Sequence, residues 1–176
     1  FLDLTDQAKQ ASVEGMAGGF ATGVSLVRAQ WEAEGRPEDN STNFVNYDGS
    51  ELYLTTPASN NDPKIRPGYP MGLTTANAIA GHMNTARCME VWNNILAQPP
   101  NISATPADLN NGANIDYFVV QSPVDGSNDN NTCIFYLKES LPKTGGDFDT
   151  PTDTTSGNNF TYDPASSTVA ITINNN

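Results

Sequence analysis

Histidine is nearly missing from this chain. In 176 residues there is one, His82. A catalytic Ser or Cys needs a base within hydrogen-bond reach, most often His, so nucleophilic hydrolysis has little to work with. His82 sits next to Met83 in a stretch of helical pattern, where a satisfied or surface imidazole is the ordinary reading. Cysteine is almost as rare. One His and two Cys, with no CxxC spacing, do not make a zinc set. Basic residues are scarce too, with 8 Lys and Arg against 20 Asp and Glu, giving a formal charge of −12. A field of that sign repels phosphate backbones and anionic lipid, which excludes nucleic acid as a partner. No apolar run approaches the roughly 18 residues that span a bilayer, so the chain as it stands is expected to be soluble. It starts at Phe1 without a Met, inside a helical pattern. That reads as a mature or truncated product of something longer.

The remaining polar groups do not gather into a recognisable site. Asp147, Asp149 and Asp153 would suit a carboxylate pair, but they fall in Gly/Asp/Thr/Pro-rich sequence, where solvated charge is the default. Asp125, Asn128 and Asp129, or Asp147 and Asp149, offer oxygen atoms to Ca²⁺, without the spacing or terminal Glu of an EF-hand loop. No Gly-rich phosphate cradle follows a strand, and there is no internal repeat. The chain is therefore read as a non-enzyme with no cofactor and no metal site.

Periodicity is strong at the N-terminus. Val13, Met16, Phe20, Val24, Val27 and Trp31 recur at helical spacing, which predicts one apolar face of an α-helix over residues 3–34, ended by Gly35. A second face carries Leu4, Ala8, Ala11, Gly15 and Gly18. It is small enough for another helix to approach closely, or it is a solvated face that happens to be small. Four interior glycines (Gly15, Gly18, Gly19, Gly23) each cost up to about 1 kcal/mol against Ala, so the helix needs tertiary support. Phe44–Tyr47 and Glu51–Thr55 around Asp48-Gly49 predict a β-hairpin. A second helix is predicted over 75–97, capped by Thr74 or Thr75 and stopped by Pro99-Pro100. Ile115–Gln121 and Thr132–Lys138 read as an antiparallel strand pair. Residues 139–158 read as a mobile surface loop. Asn159–Tyr162 and Thr168–Ile173 read as a closing hairpin. One long helix, a hairpin, a second helix and then strands argue for an α+β fold with an antiparallel sheet. Cys88 and Cys133 allow one pairing. An acidic, Asn/Thr-rich, Lys-poor composition reads as exported, where such a bridge persists; two buried free thiols are the alternative.

In this order the segments resemble a type IV pilin, and within that group the mannose-sensitive haemagglutinin (MSHA) type of Gram-negative bacteria. The residues that carry the resemblance begin with Phe1, Leu2, Asp3 and Leu4, followed by Ala8, Ala11 and the Gly/Ala-rich amphipathic helix. Tyr47-Asp48-Gly49, Gly68-Tyr69-Pro70-Met71-Gly72 and Cys88-Met89-Glu90-Val91-Trp92 with Pro99-Pro100 follow, and Phe160-Thr161-Tyr162-Asp163-Pro164 precedes a terminal strand. The apolar N-terminal half-helix of that family, with its processing site, is not in this sequence, so the chain is read as the soluble part cut before Phe1. The family's disulfide usually lies nearer the C-terminus than Cys88–Cys133. The resemblance implies a single globular domain over 1–176, with residues 1–34 as spine helix and 35–176 as head. Val13, Met16, Phe20, Val24, Val27 and Trp31 would pack on the sheet, and Leu4, Ala8, Ala11, Gly15 and Gly18 would meet neighbouring subunits. It implies a structural subunit, a major or minor pilin, of a cell-surface pilus used for adhesion, surface attachment or biofilm formation. The subunit would be held in the inner membrane before assembly only through the missing segment, and its loops would face host or environmental surfaces or glycans. The alternatives are a pseudopilin of type II secretion and an unrelated extracellular carbohydrate-binding domain.

Overall fold

Thr5 opens the first helix, α1 (Asp6–Ala33, 28 residues), which is roughly 42 Å long at about 1.5 Å per residue. Its Oγ1 accepts the Ala8 N–H at 3.1 Å, and Asp6 places a carboxylate in the first turn, where the helix dipole favours it. At the other end Gly35 takes φ +83°. The Gly35 N–H donates to the Glu32 carbonyl at 3.1 Å and the Arg36 N–H to the Trp31 carbonyl at 2.9 Å, the two bonds of a Schellman ending. The predicted end at Gly35 is thus accounted for by backbone geometry. This computed structural model describes residues 5–57, 65–73, 83–122 and 131–175, so Leu4, His82 and the Asp125–Asp129 stretch lie outside the described residues.

The chain then builds a four-stranded antiparallel sheet from β1 (Glu38–Asp39), β2 (Thr42–Tyr47), β3 (Ser50–Leu54) and β4 (Pro70–Gly72), in that spatial order. The β2–β3 hairpin turns on Asp48 and Gly49, both with positive φ (+49° and +86°). Two consecutive left-handed residues are what a two-residue turn of matching twist requires. Next comes α2 (Thr85–Ile95), whose N-cap is Asn84, with Oδ1 accepting the Arg87 N–H at 2.8 Å. Of the helix predicted over 75–97, the described part runs from Thr85 to Ile95, while Thr74, Thr75 and the stretch to His82 lie outside the described residues. An Asn side chain folded back onto the first turn is among the strongest N-caps. Leu96 is already extended, at ψ 139°, so the helix stops before Pro99 and Pro100 are reached.

The second sheet has five strands: β5 (Ile102–Ser103), β6 (Tyr117–Ser122), β7 (Thr132–Leu137), β10 (Asn159–Asp163) and β11 (Thr168–Thr172). Their order is β11-β10-β7-β6-β5, antiparallel except for β5 against β6. Between β7 and β10 a small ribbon forms from β8 (Lys143–Thr144) and β9 (Asp147–Phe148). Because strand side chains alternate, the sheet has two apolar faces. Tyr117, Val119, Cys133, Phe135, Phe160 and Tyr162 join the cluster under the helices. Phe118, Ile134 and Tyr136 point to the other side and meet Leu109 and Leu141.

That second face corrects the reading of residues 139–158 as a mobile surface loop. The segment is the cover of the sheet's back. Leu141, Pro151, Gly157 and Asn158 are buried. Ser140 Oγ donates to the Leu137 carbonyl and accepts the Asn158 N–H, both at 2.7 Å. Tyr136 donates its hydroxyl to the Asp153 carbonyl at 2.8 Å. Asn110 brackets Phe148 from both sides of its amide, accepting its N–H at 2.8 Å and donating to its carbonyl at 3.0 Å. Gly, Asp and Thr supply the turns, and a few apolar residues supply the cover. The Cys88–Cys133 disulfide joins α2 to β7 with Cα atoms 5.8 Å apart.

Candidate functional site

The two sides of the long helix have different fates. On one side Val13, Phe20, Val24, Val27 and Trp31 are buried, and Met16 is half-buried against the same cluster. Ala17 and Gly23 are buried with them, and neither was assigned to the buried side from the sequence. Ala17 falls on the same face by spacing, but its size gave no hydrophobic signal. Phe20 is the hub. Its ring centroid lies 5.1 Å from Tyr162, 5.2 Å from Phe135, 5.5 Å from Phe160 and 6.3 Å from Trp92. Off-parallel aromatic contacts at these distances are favourable beyond the area they bury. Three buried polar tips in this region find partners: Trp92 Nε1 donates to the Pro100 carbonyl at 2.9 Å, Trp31 Nε1 to Pro37 at 3.1 Å and the Tyr162 hydroxyl to Pro70 at 2.7 Å. Burial pushes the Tyr117 phenol up to about 12, with the Ser12 hydroxyl pulling the other way. Desolvation likewise raises Tyr162 well above its ordinary value.

On the other side Ala8, Ala11, Gly15 and Gly18 are all exposed. Helical spacing puts them roughly 170° around from the Phe20 side. The stripe does not stop at Gly18. Thr22, Leu26, Ala29 and Ala33 continue it, all exposed, and Leu26 is 52% accessible. The sequence carried this extension in the unbroken 3- and 4-residue spacing. It was hidden because Thr, Leu and Ala there do not share one chemical type. No residue in the stripe is charged. The charges of α1 lie to its flanks, where Glu32 accepts from Arg28 at 3.1 Å and from Arg36 at 2.8 Å. The Arg36 hydrogen bond foremost, with the charges of Arg36 and Arg28, holds the Glu32 carboxyl below its usual range.

The helical glycines separate into two kinds. A Cβ on Gly15, Gly18 or Gly19 would meet nothing within 4 Å. A Cβ on Gly23 would come within 2.9 Å of the Ile95 carbonyl, so α1 and the end of α2 approach closely there because a side chain is missing. Beside that crossing lies a groove of 580 Å³ between the middle of α1, the Asn46–Asp48 turn and the Asn94–Ala97 segment. Ser50 Oγ donates to Asn94 Oδ1 at 2.9 Å, bracing the two non-helical walls.

Of the acidic residues weighed for catalysis or metal, Asp125 and Asp129 lie outside the described residues, and Asp149 and Asp153 hold local partners. Asp149 accepts from Thr144 at 3.1 Å, and Asp153 accepts from the Thr155 N–H at 2.9 Å and from its hydroxyl, which lowers its pKa. Among the described residues no three His, Cys, Asp or Glu side chains come together as a metal set. Among the same residues no helix is long and apolar enough to cross a membrane. Comparison with protein-family models, with curated proteins and with solved structures gives no match for this chain.

Proposed function

We propose that this chain is a structural subunit, a pilin of the type IV and MSHA kind, that polymerises into a cell-surface pilus through α1 and carries no enzymatic activity. The observation that supports this reading is the division of α1. One side is locked into the aromatic core around Phe20. The opposite side is an uncharged strip of small residues exposed from Ala8 to Ala33. A helix made only to support its own domain would gain by placing Glu, Lys or Gln on its outer side, since these cost little in helix propensity and keep the surface wet. Here the outer strip carries Ala and Gly at six of its eight positions, with Thr22 and Leu26 at the others, and Ala and Gly allow backbones to come close. In the filament the strip, with Leu4 before it, meets the helices of neighbouring subunits. The Asn/Thr/Asp-rich segments of the head face outward, toward surfaces or glycans. Membrane attachment before assembly falls to a segment preceding Phe1.

Gly15→Glu and Gly18→Glu test this directly. Both positions are open in the subunit, and Glu is a better helix former than Gly, so each purified variant is expected to melt no lower than the parent. In cells carrying the full-length gene, both variants are expected to lose surface filaments, and attachment with them, while the exposed head substitution Thr152→Glu keeps the filaments. Filaments that persist with both glycine positions charged would overturn the reading, as would cells that make none from the unaltered gene.

A further inference from the structure

β11 is the outermost strand of the five-stranded sheet. On one side it pairs with β10 in unbroken register, from Asn159 opposite Thr172 to Asp163 opposite Thr168. Its other edge pairs with no described strand. The Asn174 N–H turns back to Asn158 Oδ1 on the β10 side at 3.1 Å. By the alternation of an antiparallel ladder, Val169 and Ile171 therefore aim their N–H and C=O groups outward. Exposed edges of this kind are normally blunted with Lys, Pro or a bulge. Thr168–Thr172 has none of the three. No residue from Pro164 to Asn176 is charged, in a chain with 20 acidic and 8 basic residues. Two copies of so acidic a protein repel each other over most of their surface, and this edge is a place where they do not.

The sequence of the strand adds a second, independent feature. Thr-Val-Ala-Ile-Thr reads the same in both directions by chemical class. Antiparallel pairing of two copies about Ala170 sets Thr168 opposite the second copy's Thr172, Val169 opposite its Ile171 and Ala170 opposite itself. Every pair is then Thr with Thr, β-branched with β-branched, or Ala with Ala, the like-with-like matching that stabilises cross-strand neighbours. An isologous two-fold contact demands this self-complementarity. Ile171, 45% exposed in the single chain, gains a hydrophobic neighbour, and the outward amide groups of Val169 and Ile171 gain partners. We propose that β11 is a self-pairing edge through which two copies join their sheets across a two-fold axis at Ala170. The contact lies on a different element from the α1 strip and does not rest on the filament reading. Five residues a side fall short of the roughly 1,200–2,000 Å² buried in stable complexes, so the dimer is weak and reversible.

Sedimentation over a wide concentration range and engineered cross-linking test it. Both native cysteines are in the disulfide, so Ala170→Cys adds a single thiol. Paired Ala170 Cα atoms, about 4.5–5.5 Å apart, fall within disulfide reach. Ala170→Cys is expected to give a covalent dimer under mild oxidation. Thr172→Cys, whose partner position is Thr168, is expected to give several-fold less. The unaltered protein is expected to self-associate at high concentration. Ala170→Lys, which sets two ammonium groups together on the axis, should weaken this about tenfold or more. Ile171→Pro should do the same while sparing the β10 ladder, since it removes an outward N–H. A protein that stays monomeric with no preference for cross-linking at position 170 would overturn the proposal. So would a dimer indifferent to both Ala170→Lys and Ile171→Pro.

Discussion

The two faces of the five-stranded sheet are made by the same strands and covered by different means. On one face the cover is α1, whose apolar residues arrive at helical spacing and meet the sheet through Phe20 and Trp92. On the other it is an irregular segment. There Leu141, Phe148 and Pro151 are spread among turns, and the fit is held by Ser140, Tyr136 and Asn110 hydrogen bonds. A periodic cover places many apolar contacts for few fixed polar groups. An irregular one must satisfy its backbone bond by bond. The helix-covered face should therefore be the more costly of the two to damage.

Phe20→Ala puts the largest strain on that comparison. Phe20 is fully buried and touches four rings, so the loss is expected near 5 kcal/mol, the top of the range for such truncations, read from urea unfolding. Reducing the Cys88–Cys133 bridge comes next. It frees a loop with sequence separation 45, worth about 4 kcal/mol in the chain-entropy model. A reduced protein within 1 kcal/mol of the oxidised one, where ~4 is expected, would show that the α2–β7 contact holds without its covalent tie. Leu141→Ala tests the back face and is expected to cost about 2 kcal/mol, the low end for buried Leu, because an irregular cover can settle into the space. A loss equal to that of Phe20→Ala would erase the proposed difference.

Alkaline pH gives the smallest and most graded effect. Tyr117 and Tyr162 under the helices and Tyr136 on the back all have raised phenol pKa values, with burial as the leading cause. The folded state keeps these groups neutral where the unfolded state ionises them. Their contribution is thus complete below the unfolded value near 10 and is lost as pH rises, through about 12 for Tyr117. Stability should fall by about 1 kcal/mol per tyrosine over the first pH unit above 10, with the share of tyrosinate absorbance due to these three rising only as the protein unfolds. Tyr136→Phe should lessen the slope without abolishing it, separating the back face from the helix face.

The helix face was legible in advance because its signal is local. Val13, Phe20, Val24, Val27 and Trp31 announce one side of a helix at any depth of analysis, and Asp48-Gly49 announces its own turn. The back-face cover was not legible. Leu141, Phe148 and Pro151 follow no period, and only the alternation of β6 and β7 creates the surface that they must fill. The cap of α2 was not legible for a related reason. Asn84 is one of many cap-type residues in the chain, and only its side chain folding back onto Arg87 marks it. At the candidate site, Ala8, Ala11, Gly15 and Gly18 could be placed on one side by counting, while Gly23 could not be told from its neighbours until α2 crossed it.

The order of residues alone fixed the long helix and its stop at Gly35, the β2–β3 turn, the six longer strands and the possibility of a single disulfide, since each depends on neighbours a few positions apart or on having just two cysteines; β1, β4, β5, β8 and β9 were not legible. Tertiary structure decided which glycine is pressed against another helix and which three lie open. It also decided that residues 139–158 close a second core, and that the outer edge of β11 pairs with no described strand. Those outcomes depend on what the rest of the chain brings near. A residue's own spacing carries no record of the surface that will arrive against it from a hundred positions away.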